Sequence, residues 1–176
     1  MRTRHLLFAA ATGMIALGNA LPASALPGDT ATSISVTGGF LSITVPVNAG
    51  SLGTRANTVL AGAISGPLGQ VLVNDARSAA AGSGWVASAI STAFTPPSGP
   101  AIPASAVGYT AGAITKVGTA TYTANDPVNL TGVAPAVTAT GITGDNSATW
   151  NPTINVTVAG GKAAGVYTGT ITHSVV

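Results

Sequence analysis

Trp150-Asn151-Pro152-Thr153-Ile154-Asn155-Val156-Thr157-Val158 decides the fold. Apolar side chains take every second position (Trp150, Pro152, Ile154, Val156, Val158), and hydroxyls or amides fill the places between. A period of two puts the two sets on opposite faces of an extended chain, so the segment reads as a strand with one face in a core. Pro152 cannot donate to a ladder, which predicts an edge position or a bulge near the strand's start. Beyond Gly160-Gly161 and Gly165 a second run places Tyr167, Ile171, His173 and Val175 on one face and Thr168, Thr170, Thr172 and Ser174 on the other. The two runs read as a final hairpin.

The same period recurs upstream. In residues 34–45 the pair Gly38-Gly39 predicts a two-residue turn that sets Val36 against Leu41 and Ile34 against Ile43, with all four side chains on one face. Further strands are expected over residues 68–75, 85–94, 106–109, 116–122 and 135–140. The alanine-rich residues 78–81 end at Gly82-Ser83-Gly84 and read as a loop or isolated turn, and Pro96-Pro97-Ser98-Gly99-Pro100 as a stiff surface connection. Asp126-Pro127 and Gly144-Asp145-Asn146 mark turns. No segment past residue 27 has a helical period. The fold class is therefore all-β: an antiparallel β-sandwich, Ig-like or a related Greek key, in one domain over residues 26–176. With no cysteine, that domain has only its core to hold it.

Residues 1–25 read as a cleaved secretory signal peptide. Arg2 and Arg4 precede an apolar run that is shorter than the roughly 20 residues of a membrane span, and Ala23-Ser24-Ala25 supplies the small residues of a cleavage site. This places the protein outside the cell, secreted or at the cell surface, with no membrane contact after cleavage. The basic balance of the full chain belongs to that leader. Beyond it, Arg55, Arg77, Lys116 and Lys162 are matched by Asp29, Asp75, Asp126 and Asp145. A neutral chain so poor in charge has no electrostatic footprint for nucleic acid. Charged residues are 6% of the sequence, where about 25% is usual, so solubility rests on hydroxyls and amides and the surface is weakly guarded against self-association.

Little catalytic chemistry is available. His173 is the one histidine past the leader, there is no glutamate, and the aspartates lie far apart, mostly in turns where their side chains bond their own backbone. No Gly-x-Ser-x-Gly, calcium loop or zinc ligand cluster occurs, so neither an enzyme nor a cofactor is expected. Leu26-Pro27-Gly28-Asp29-Thr30 resembles a sortase signal, but no apolar tail and basic end follow it, so covalent wall attachment is not expected.

Two stretches carry a resemblance. Trp85-Val86-Ala87 and the run Tyr167, Ile171, Thr172, His173, Ser174, Val175 resemble the proximal Trp-x-Leu and distal Tyr-x-x-x-Leu-Thr-Trp-Thr-Leu of the WxL domain family of Gram-positive surface proteins. The likeness extends from about Ser33 to Val176. It departs from the family at Ala87, at His173 and in the missing proline after the distal motif, while Trp150 offers an aromatic from a neighbouring strand. The resemblance implies a non-catalytic module that holds peptidoglycan or another wall polymer non-covalently and works beside other surface proteins. Candidate sugar contacts are Trp85, Trp150 and Tyr167, because apolar faces of sugar rings pack on flat aromatic surfaces. Trp85 also fits a core anchor, which needs no ligand. The alternative function is a structural subunit that assembles with itself into a surface layer or fibre through exposed edge strands, which few lysines protect.

Overall fold

The computed structural model describes residues 32–176, and the expected signal peptide lies outside them. One compact unit covers Val36–Val176 and is a sandwich of antiparallel sheets. Eight strands make it: β1 (Leu41–Thr44), β2 (Gly62–Pro67), β3 (Val71–Ser91), β4 (Val107–Thr110), β5 (Thr115–Ala124), β6 (Ala134–Trp150), β7 (Thr153–Val158) and β8 (Ile171–Val175). One sheet has the order β1-β3-β6-β5, with β8 also on β3, and the other has the order β2-β7-β4. A 3₁₀ turn at Ala104–Ala106 precedes β4. Among the described residues no helix is long and apolar enough to cross a membrane.

The alternation of residues 150–158 holds in the structure. Trp150, Pro152, Ile154 and Val156 are buried, while Asn151 and Thr157 are exposed. The segment is not one strand, however. Trp150 ends β6 in the first sheet, Asn151-Pro152 carries the chain across, and β7 starts in the second. Pro152 thus precedes a central strand, in a link where its missing N–H costs no ladder bond and its carbonyl accepts from Leu68 N–H at 2.8 Å. The expected final hairpin does not form, because β7 pairs with β2 and β4 while β8 pairs with β3. Residues 159–170 cross from one sheet to the other.

The hairpin expected over residues 34–45 is also absent. Neither Gly38 nor Gly39 has positive φ, as a tight turn needs. Instead the chain runs straight, and Gly39 and Phe40 exchange backbone hydrogen bonds with Ala76, so that β1 lies along residues 72–75 of β3. The long β3 gives this segment a more extensive partner than the short residues 34–36. Ile34 is 92% exposed and Val36 88% exposed.

Strand β3 joins two expected strands into one. Its expected break at residues 78–81 is a bulged stretch where the register with β6 shifts after Asp75 and again after Ala79. Ser78 sits there at φ 53°, its N–H donating to Asp145 Oδ1 at 2.8 Å. The expected turn at Gly144-Asp145-Asn146 is the matching irregularity within β6. Asp145 and Asp126 therefore bond amides distant in sequence, of Ser78 and of Ala111 (2.7 Å), rather than their own turns.

The core lies between the sheets, with Val71, Val73, Trp85, Ala87 and Ala89 of β3 facing Val107, Tyr109, Ile154 and Val156. A polar cluster is buried with them. Asp75 accepts from Arg77 Nε (2.8 Å), Arg77 Nη2 (2.9 Å), Arg77 N–H (3.2 Å) and Asn146 Nδ2 (3.1 Å). Asn146 Oδ1 in turn accepts from Trp85 Nε1 at 3.0 Å and from Tyr122 Oη at 3.3 Å. The bonds from Arg77 hold the Asp75 carboxyl below the ordinary carboxylate range, against a burial that pushes it up.

Candidate functional site

Two of the three aromatics singled out in the sequence are core residues. Trp85 and Trp150 are each 2% exposed, so neither offers a face to a sugar. Trp85 fills the interior beside Tyr122 and has its indole N–H bound to Asn146. Trp150 Nε1 donates to Tyr109 Oη at 2.8 Å, and that hydroxyl meets His173 Nε2 at 3.2 Å. Burial raises the Tyr109 pKa and lowers that of His173, so both groups are neutral near pH 7. The His173 Nδ1 atom is buried without a hydrogen-bond partner. Tyr109 Oη accepts from Trp150, and the imidazole tautomer sets whether it donates to or accepts from His173 Nε2.

The pairing of β3 with β8 joins the two resemblance stretches. Ala87 stands opposite Val175 and Ala89 opposite His173, and Val86 and Val176 exchange backbone hydrogen bonds of 2.8 and 3.1 Å. Residues far apart in sequence are thus one local structure.

Tyr167, the third aromatic, is partly buried and lines a cleft of about 720 Å³. That volume lies within the roughly 300–1,000 Å³ of small-molecule sites. One wall is residues 48–57 of the β1–β2 connection and the other is residues 162–169 of the β7–β8 crossing. Ile64, Phe94, Val156 and Val158 supply apolar surface between them. The walls are tied near one end, where Gly161 N–H donates to the Thr58 carbonyl at 2.9 Å.

Each wall is ordered by its own polar groups. Asn48 Oδ1 accepts from Gly50 N–H at 2.7 Å and Ser51 Oγ from Gly53 N–H at 3.2 Å. Arg55 Nη2 donates to Leu60 O (2.8 Å) and Thr58 Oγ1 (3.2 Å), with its guanidinium flat on Gly62. A Cβ at position 62 would come 2.5 Å from Arg55 Nε, so a side chain there would displace the cation. On the other wall Lys162 Nζ donates to Pro100 O (3.0 Å) and Ala101 O (2.8 Å), and Tyr167 Oη to Ala163 O (2.9 Å). The Phe94 ring lies against the backbone at Gly169, where a Cβ would meet it at 2.9 Å.

The sequence reading found Tyr167 but not Arg55, Phe94 or Lys162 as its neighbours. One available signal was length: residues 45–61 form a connection without strand or helix, and such loops beyond about 12–15 residues are commonly functional. Chemically, the cleft offers aromatic faces, amide and hydroxyl groups, and two cations, which suits holding a polar ligand with apolar ring faces. Among the described residues no group of three His, Cys, Asp or Glu is placed to hold a metal ion. The chain matches no protein-family model, no curated protein and no solved structure.

Proposed function

We propose that this is a secreted, non-catalytic cell-surface protein that associates non-covalently with peptidoglycan or an attached wall polymer, and that the cleft beside Tyr167 holds the glycan. The cleft carries the reading: aromatic rings of Tyr167 and Phe94 stand among amides and hydroxyls, the pairing that sugars need for their apolar faces and polar rims. The likeness to WxL domains adds support, since the end of one stretch at Ala87 pairs with the other at Val175.

The test is co-sedimentation of residues 26–176 with insoluble peptidoglycan, alongside Tyr167→Ala and with circular dichroism of both. Saturable pelleting of the wild type, weakened about tenfold or more in a folded Tyr167→Ala, is the expected result, since the variant removes the flat apolar surface on which the sugar ring packs. A folded wild type that stays in the supernatant overturns the reading. Trp85→Ala is a poor probe of binding, because removing a buried tryptophan costs about 3–5 kcal/mol of stability.

A second reading is favoured by the outer edge of β5. Among the described residues no strand pairs with that edge, Val117 on it is 67% exposed, and Lys116 is its one charge. On this reading the protein is a structural subunit that adds strand to strand with copies of itself.

A further inference from the structure

We infer that the cleft selects an acidic saccharide, one whose sugar ring carries a carboxylate or a phosphate, over a neutral one. This rests on the cleft being the glycan site and goes on to name the class of glycan. Among the described residues the cations are Arg55, Arg77, Lys116 and Lys162, and the acids are Asp75, Asp126 and Asp145. Arg77 is committed to Asp75, and Lys116 is on β5, away from the cleft. The remaining two cations, Arg55 and Lys162, both line the cleft, one from each wall, and none of the three acids does.

Arg55 and Lys162 are held by backbone carbonyls and one hydroxyl. A carbonyl fixes the position of a cation but does not neutralise it, so a protein of almost no net charge keeps a local positive potential in this one cleft. Donors also remain. Lys162 uses two of its three N–H groups, and Arg55 uses Nη2 while Nε and Nη1 make no hydrogen bond to a described residue. Both side chains are partly buried and pre-placed, so little rotamer freedom is lost when an anion arrives. Tyr167 and Phe94 supply ring surface in the same cleft, which distinguishes an acidic sugar from a bare anion or an acidic peptide.

Isothermal titration calorimetry on residues 26–176 tests this, with chitotetraose as neutral glycan, tetragalacturonate as carboxylate glycan, phosphorylated maltotetraose as phosphate glycan and tetraglutamate as acidic peptide. At low salt at least one acidic glycan is expected to bind about tenfold or more tightly than chitotetraose, and the advantage should shrink as salt is raised to screen the cations. Arg55→Gln and Lys162→Gln should each weaken the acidic glycan about threefold to fivefold, in line with partly exposed ion pairs. They should cost the acidic glycan more than they cost chitotetraose, and leave the circular dichroism spectrum unchanged. Gly62→Ala, which keeps the charge but displaces the guanidinium, should match Arg55→Gln. Which of the two acidic glycans binds identifies the anion. The inference fails if neutral and acidic glycans bind alike, if the preference survives in a variant carrying both Arg55→Gln and Lys162→Gln, if tetraglutamate binds as well as the glycans, or if the folded protein binds no acidic glycan. Peptidoglycan pelleting without an acid preference would leave the wall reading standing and remove this one alone.

Discussion

Replacing Asp75 by asparagine keeps the shape of a buried side chain and removes its charge. Asp75 is 1% exposed and its two oxygens accept four hydrogen bonds, three from Arg77 and one from Asn146. An asparagine has one acceptor oxygen, and its NH₂ must face N–H groups on the other side, so two of the four bonds are lost whichever way the amide turns. Bonds to a charged group are worth about 1.5–3 kcal/mol each, and part of that loss is returned because no charge is then buried. Arg77 is left with its side chain 38% exposed, so water can take it up. The balance is a destabilisation of about 3 kcal/mol, near the lower end for breaking a buried pair. For a domain of this size that lowers Tm by roughly 6–12 °C.

Thermal unfolding followed by circular dichroism at pH 7 measures the effect, and the pH dependence checks its cause. The folded carboxyl titrates below its unfolded value of 3.8, so its contribution is full above that pH and is lost as pH falls through the folded pKa. The difference between wild type and Asp75→Asn should therefore narrow below pH 3.8. A variant melting within about 2 °C of wild type at pH 7 would refute the account of the cluster. So would a gap that stays constant into acid.

Two further outcomes are expected. His173 is held neutral by burial, its folded pKa below 6.5, so the stability linked to it is present above pH 6.5 and lost as pH falls through the folded value; His173→Phe should flatten the fall in urea midpoint between pH 7 and 5, and an unchanged slope would count against it. If copies associate through β5, the solution mass of the wild type should rise with concentration and Val117→Lys should suppress the rise, whereas a constant mass removes the edge-pairing reading.

Local pattern was legible in the sequence where one face of a strand is buried. The alternation of residues 150–158 places Trp150, Pro152, Ile154 and Val156 inside, as they are, because a period of two fixes which side chains share a face. It does not say which strand lies alongside. That is why β7 and β8 read as a hairpin although they belong to different sheets, and why Gly38-Gly39 read as a turn although the chain there runs along β3. Bulges were illegible for a related reason: Gly144-Asp145-Asn146 has the composition of a turn, and only the facing Ser78 makes it an irregularity within paired strands. Of the cleft, Tyr167 could be picked out because it is aromatic and opens a resemblance stretch. Arg55 and Lys162 come from connections without periodicity and Phe94 from the end of an expected strand, and only the folded chain brings them together.

One edge of β3 is shared by two strands, β1 along residues 72–75 and β8 along residues 87–91, which come from opposite sides of it in the sequence. A chain that emerges from its N-terminus has the first partner in hand when β3 appears, but the second arrives only after every other strand has been made. Until then half of that edge is an open template, and the pairing that closes it joins residues of very large sequence separation. Such contacts make folding slow, in the millisecond to second range for sandwiches, and leave the interval before closure as the time when a strand from another molecule competes for the vacancy. Aggregation during refolding should accordingly depend on how quickly Ile171–Val175 finds its place, more than on the stability of the finished sandwich.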